Sequence, residues 1–308
     1  MPLDASRLGL IEQLPASGQP PIWNLEPEQV RAGGVVLAQM YGARPEMRST
    51  ATHSLVGFDG GRFTVRTLSP SPQPRAVIVY YHGGGWVTGD IDEFDTLGRK
   101  LAVASNCAVV MVDYRKAPEH RYPAAVEDAW SALCWTRANV ESIAGQYVPL
   151  LVAGDSAGGN LAAVMSLRAR DRREPKLAMQ ILVYPVTDSD LDNATYRDPQ
   201  NQALLQREAM EWFWNHSLPD PGWRRDPEAS PLRCESLAGL PPAVVVTAEY
   251  DPLRGEGEAY ADRLEQAGVA VQRKRFDGQS HAYFSFVNVL PASADGIRYV
   301  AKAISRTR

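Results

Sequence analysis

The sequence predicts an α/β protein with a mainly parallel central sheet flanked by helices. Three observations carry this reading. From residue 75 onward, apolar β-branched runs of strand length alternate with helix-length amphipathic stretches. The strand runs are nearly continuous in apolar residues, as strands covered on both faces must be. The chain has 308 residues, 44% of them hydrophobic, enough for a full core without metal or disulfide support.

The elements follow in order. The first fifty residues read as helical and Pro-punctuated. Within them "NLEPEQVRAGGVVLAQMYG" begins at Asn24, a residue type suited to a helix N-cap, with acidic residues in the first turn. "FTVRTLSP" is the first strand pattern. Six further strands are expected: Arg75 to His82, Cys107 to Tyr114, Pro149 to Gly154, Met179 to Pro185, Pro242 to Tyr250 and Val269 to Phe276. Helical patterns stand between them in "EFDTLGRKLAVAS", "PAAVEDAWSALCWTRAN", "GGNLAAVMSLRAR" and "GEGEAYADRLEQAG". The rhythm breaks between Thr187 and Gly239, where an acidic, Pro- and Trp-rich helical insertion replaces any strand. The chain thus divides into an arm (1–50), a first core part (51–187), an insertion (188–238) and a second core part (239–308). Arm and insertion together could fold over one end of the sheet as a helical cap. The insertion carries Trp212, Phe213, Trp214 and Trp223, which either pack the cap itself or line an apolar pocket.

Charge and cysteine content narrow the function classes. A formal net charge of -4 gives no basic field for nucleic acid, and the runs "RDRRE" and "RKR" are short enough to be solvated faces or a charged sheet edge. Three cysteines, with no close C-x-x-C pair, read as reduced thiols. The opening "MPLDASRLGLIEQLPASG" lacks the basic-then-apolar pattern of a secretory signal. No run reaches the roughly 18 apolar residues of a membrane span. A cytoplasmic protein with no membrane or nucleic-acid partner is expected.

Four segments put reactive groups at the carboxyl ends of strands, where open α/β sheets bind ligands. Gly154-Asp155-Ser156-Ala157-Gly158 fits G-x-S-x-G between a strand and a helix, a tight bend that would expose Ser156 Oγ. Read alone, Ser156 could equally be a helix cap. "HGGGW", His82 to Trp86, exposes backbone N–H groups unshielded by side chains. Gly83 and Gly84, with the N–H of Ala157, could hold a developing oxyanion, at roughly 3–4 kcal/mol per donor. A phosphate loop is disfavoured because no G-K-[ST] follows. His82 is read as bracing this loop. Asp251 directly follows a strand, and His281 follows the last strand and a Gly-containing loop. Each alone could be a polar loop residue. Together, the order Ser156, Asp251, His281 is that of an α/β-hydrolase triad: nucleophile, orienting acid and general base. His53, His120 and His216 do not follow the last strand. Glu119 and His120 in "APEH" are read as structural bracing with Arg115.

Taken jointly, "YYHGGGW", "DYRKAPEHRYPAAVEDA", "GDSAGGNLAA", Tyr184-Pro185, "EYDPLRGEGEAYA" and "SHAYF" resemble the bacterial hormone-sensitive-lipase-like, family IV carboxylesterases, across almost the whole chain from residue 50. The resemblance implies an α/β-hydrolase fold with a helical cap. It also implies Ser156, Asp251 and His281 as triad, Gly83, Gly84 and Ala157 as oxyanion hole, and hydrolysis of short- to medium-chain acyl esters without cofactor or metal. Candidate substrate-binding residues are Trp86, Trp212, Trp214 and Tyr184. A homodimer through the edge of the last strand, near "VQRKRF", is a further implication. The sequence departs from the family where Lys116 stands for a common Leu, Gly255 for a common acidic residue, and Ala282-Tyr283 for a common Gly-Phe. An amidase or arylformamidase would use the same triad. A non-catalytic ligand receptor of the plant gibberellin type lacks the histidine that His281 supplies here.

Overall fold

The structure, a computed structural model, describes residues 20–306. The stretch read above for a secretory signal, and with it the first part of the 1–50 arm, lies outside the described residues. One sheet of eight strands runs through the molecule in the order β1-β2-β4-β3-β5-β6-β7-β8. The strands are β1 (Ser49–Val56), β2 (Arg62–Ser69), β3 (Val77–Tyr81), β4 (Ala108–Asp113), β5 (Leu150–Asp155), β6 (Met179–Val183), β7 (Ala243–Tyr250) and β8 (Val271–Ser280). β1 and β2 pair antiparallel, β2 joins β4 antiparallel, and every later pairing is parallel.

Side-chain alternation decides how the helices are layered. Val77, Val79 and Tyr81 of β3 face one apolar cluster, Ile78 and Tyr80 the other. The first cluster is closed by α3 (Ala124–Ala144), α4 (Ala157–Arg172) and α7 (Arg254–Gln266), and the second by α2 (Asp95–Ser105) and α8 (Pro291–Ser305). The middle strands β3, β5 and β6 are buried along their whole length. Every parallel strand therefore ends at the same edge of the sheet.

The structure corrects several boundaries. The N-terminal helix α1 is Pro27–Met40 and its N-cap is Glu26, not Asn24, which closes a short turn at Ile22–Asn24. Pro27 at the first helical position has no N–H to leave unpaired, and the Gln29 side chain accepts the Glu26 N–H at 2.9 Å. β1 was not expected. Its sequence, STATHSLV, is mostly polar because it is an exposed edge strand paired on one side only. α8 was likewise not foreseen. β8 runs on to Ser280, so His281 follows the strand directly and "DGQS" is not a separate loop. As expected, Arg273 and Arg275 lie on an edge strand, where they pair with Asp262 and Glu265, and with Glu258, of α7.

No strand occurs in 188–238. The segment forms α5 (Ala194–Arg197), α6 (Arg207–Ser217) and short turns. It is bound to the core by polar contacts. The buried Arg168 of α4 holds Glu228 of this segment and Glu127 of α3. Asn160 donates to the carbonyls of Val186 and Ala229 at 3.1 and 2.8 Å, and Tyr122 N–H donates to Ser217 O at 3.0 Å. The turn at Ile22–Asn24 packs on α6. Glu127 and Glu228 keep partial solvent access, which limits the cost of losing their shared cation. Arg168→Met is expected to lower unfolding free energy by about 1–2 kcal/mol in urea titrations.

Candidate active site

The site begins with the bend after β5. Ser156 sits at φ 56°, ψ -119°, a conformation that costs a non-glycine residue of order 1–3 kcal/mol. Surrounding bonds hold it there: its N–H donates to Val183 O at 2.9 Å, and its carbonyl accepts from Asn160 N and Val186 N. The flanking glycines are a packing requirement. A Cβ on Gly154 would strike the Gly158 carbonyl, and one on Gly158 would strike the carbonyls of Tyr81 and His82. The bend lifts Ser156 Oγ from the sheet edge and starts α4 at Ala157, with the helix's partial positive end at the same place.

Strand register brings the partners alongside. Tyr250 of β7 pairs with Ser280 of β8, so Asp251 and His281 leave neighbouring strands side by side. His281 Nδ1 lies 2.8 Å from Asp251 Oδ2, and His281 Nε2 lies 3.1 Å from Ser156 Oγ. A carboxylate can only accept, so Nδ1 carries the proton and Nε2 is left to accept from the serine hydroxyl. Asp251 is fully buried, and its other oxygen accepts Leu253 N–H at 2.9 Å. The Tyr184 ring lies against the imidazole, centroids 4.7 Å apart. Tyr184 therefore supports the histidine ring. Ala282, one of the departures noted above, sits at φ 64°, which explains the glycine common at that position.

The glycine loop is arranged around a carboxylate that the sequence reading passed over. Asp155 is buried, and its Oδ1 accepts Tyr80 O–H at 2.7 Å and Gly83 N–H at 3.1 Å. Burial pushes this carboxyl up to about 6, against the opposing pull of the Tyr80 hydroxyl and of His281. A Cβ on Gly83 would lie 2.6 Å from Asp155 Oδ2, so only glycine fits there. The expectation for Gly83 is corrected here: its N–H is engaged by Asp155 and is not available to a ligand. Gly84 and Gly85, at φ 104° and 60°, present backbone N–H groups that meet no acceptor among the described residues. Carbonyls of the loop do find donors. Gly84 O accepts from Val87 N and Thr88 N, and Trp86 O from Ala117 N. His82 Nδ1 lies 2.7 Å from Gly83 O and must donate to it, so His82 braces the loop as expected. Burial lowers this imidazole to about 4, so it is neutral.

The aromatic candidates separate. Trp86, itself at φ 61°, packs on Trp214 of α6 with ring centroids 4.8 Å apart. Both line a cavity of about 20 Å³, closed further by Tyr122, Leu218 and Asn160, the last one turn beyond Ser156 on α4. Trp212 packs instead on Phe213 and His216 of its own helix and is not in this wall. Phe213 lies over the glycine loop, where a Cβ on Gly85 would meet its ring. Trp223 is exposed. Glu119 is held by Arg31, at 2.7 Å through each oxygen, not by Arg115, whose partners are Asp59 and Asp128. The one signal that could have disclosed Asp155 is a charged residue at the end of a wholly apolar strand. Arg31 offered none, because its partners lie 56 to 88 residues away.

Residues 78–285 match the model of a family described by its α/β-hydrolase fold. The chain is 39% identical over 269 residues to the carboxylesterase NlhH of Mycobacterium tuberculosis, covering 85% of this chain and 83% of that one. It is 35% identical over 260 residues to an ethyl acetate hydrolase of Pseudomonas putida, covering 82% and 81%. Among solved structures, the hyperthermophilic esterase of the archaeon Pyrobaculum calidifontis superposes with a TM-score of 0.92 at 36% identity, covering 99% and 98% of the two chains. With a strained serine at the end of β5, glycine N–H groups beside it and these relatives along most of its length, the chain belongs to the hormone-sensitive-lipase-like, family IV carboxylesterase branch of the α/β-hydrolases.

Proposed function

We propose that the chain is a serine carboxylesterase that hydrolyses short- to medium-chain acyl esters through an acyl-enzyme. The observation that carries this is the unbroken hydrogen-bonded line from Ser156 Oγ through His281 to Asp251. Ser156 Oγ attacks the ester carbonyl carbon while Nε2 of His281 takes its proton. The oxyanion is met by the N–H groups of Ala157, Gly84 and Gly85. The intermediate collapses as the C–O bond to the alcohol breaks, and Nε2–H protonates the leaving oxygen. Water then attacks the acyl-enzyme by the same route, releasing the acid. Asp251 holds the productive tautomer and stabilises the imidazolium formed in each half.

The arm and the 188–238 insertion are read as a cap over the carboxyl edge of the sheet, supported by Phe213 against Gly85 and Trp214 against Trp86. The cavity of about 20 Å³ lined by Trp86 and Trp214 reaches Asn160, one turn of α4 beyond Ser156, and a place of that size for one small group supports a preference for short acyl chains. A cytoplasmic location is supported by three free cysteines. No helix among the described residues is long and apolar enough to cross a membrane.

Two measurements test this reading, and a third tests the setting of Asp155. With 4-nitrophenyl acetate, Ser156→Ala is expected to abolish the stoichiometric 4-nitrophenol burst and cut kcat by roughly 10⁵–10⁶. Unchanged turnover would overturn the assignment. In a 4-nitrophenyl ester series the wild type is expected to prefer acetyl to butyryl over octanoyl chains. Trp214→Ala should move the optimum to longer chains, read as the ratio of kcat/KM values. The third concerns Asp155. Its folded value of about 6 stands above the 3.8 of an ordinary aspartate, so its contribution to stability is complete below about pH 4 and lost as pH rises through 6. Asp155→Asn has no such loss. The difference in unfolding free energy should move in its favour by about 3 kcal/mol between pH 4 and pH 7.5.

A further inference from the structure

The carbonyls of the glycine loop are capped from three directions within the core: by His82, by residues of the loop itself and by Ala117. Val87 O, at the end of the loop, is capped from outside it. Arg31 Nε of α1 donates to Val87 O at 2.7 Å, and its Nη2 donates to Ala117 O at 2.7 Å. Trp86 O in turn accepts from Ala117 N at 2.9 Å. One planar guanidinium therefore bonds both segments that meet at the Trp86–Ala117 contact. Its orientation is set from the far side by Glu119, which takes both terminal nitrogens and whose carboxyl the guanidinium holds down to about 2. The "APEH" segment, which the proposed chemistry leaves without a role, acquires one here.

The helix carrying Arg31 is anchored independently at its other end. Asn288, in the loop that follows His281, donates from Nδ2 to Tyr41 O and Ala43 O at 2.5 and 3.1 Å. Along its middle, Gly34 seats so close to the Glu93 carboxylate that a Cβ would collide with it. Loss of the Arg31 contacts would thus loosen the glycine loop while the helix stays attached.

We infer that Arg31 is a positioning residue for the oxyanion site: it fixes the Trp86–Val87 end of the glycine loop and so the aim of the Gly84 and Gly85 N–H groups. This rests on the esterase reading. An oxyanion exists in the transition state and not in the bound ester, so a misaimed donor lowers kcat and leaves ester binding alone. A displacement of about 1 Å in such a group is enough for a hundredfold loss.

The test uses the full chain, 4-nitrophenyl butyrate as substrate and an alkyl trifluoromethyl ketone, which forms a reversible tetrahedral adduct, as inhibitor. Arg31→Met is expected to lower kcat roughly tenfold to hundredfold, leave KM within about twofold, and weaken the ketone by the same factor as kcat. A residue that only fastened a cover would raise KM or lower Tm without that parallel. Unchanged kcat, or unchanged ketone affinity, overturns the inference. Should Arg31→Met fail to fold, Arg31→Lys keeps the charge and loses the fork. It is expected to lose at least about threefold in both quantities, and wild-type values for both would overturn the inference. A wild type without ester turnover would sink the esterase reading itself. An active wild type matched by its Arg31 variants would sink only the role of Arg31.

Discussion

The rest of the structure depends on the strained backbone at Ser156. A residue at φ 56° in so tight a turn is stable only if neighbours over-determine it, and they do: three backbone hydrogen bonds hold Ser156, and two glycines let the turn pass within contact distance of β3. Those requirements reach outward. The central strands must be long and apolar enough to anchor the turn, and the parallel pairing of β3, β5 and β6 must be in register. α4 must begin at Ala157, which places its N–H beside the hydroxyl. The turn presents the Ser156 hydroxyl to an imidazole that arrives from another strand.

Around that turn the polar groups are sorted by direction. The carbonyls of Gly83, Gly84, Trp86 and Val87 find donors, while the N–H groups of Gly84 and Gly85 meet no acceptor among the described residues. Buried backbone groups without partners are rare, since each costs free energy comparable to a lost hydrogen bond. Two adjacent donors with no acceptor among the described residues, close to a strained serine, are what the proposed oxyanion site rests on. Asp155 sharpens the arrangement. It draws Gly83 N–H inward, fixes the root of the loop to β3 through Tyr80, and remains largely ionised at neutral pH despite burial.

The peripheral segments contribute differently. The 188–238 insertion brings Phe213 and Trp214 onto the loop and is held by a buried cation, an asparagine and backbone bonds. The N-terminal helix brings one guanidinium. Both act on the same few residues, Gly85 to Val87. A loop made of glycines has little stiffness of its own, so its geometry must be imposed by what surrounds it.

Sequence alone settled what local chemistry can settle. Strand and helix alternation specified the sheet, because burial on both faces demands continuous apolar runs. G-x-S-x-G marked the bend, since no other residue fits at Gly154 and Gly158. The order Ser156, Asp251, His281 was legible because each follows a recognisable strand. Contacts across the fold were not legible. The engagement of Gly83 by Asp155, the pairing of Glu119 with Arg31 in place of Arg115, and the seating of Phe213 on Gly85 join residues 72, 88 and 128 positions apart. The polar edge strand β1 carried no apolar signal, and Asn24 was displaced as a cap because Pro27 suits the first helical position. Residue types and their order are properties of the chain. Which N–H is engaged and which is left open depends on what packs above the loop, and only the tertiary structure decides that.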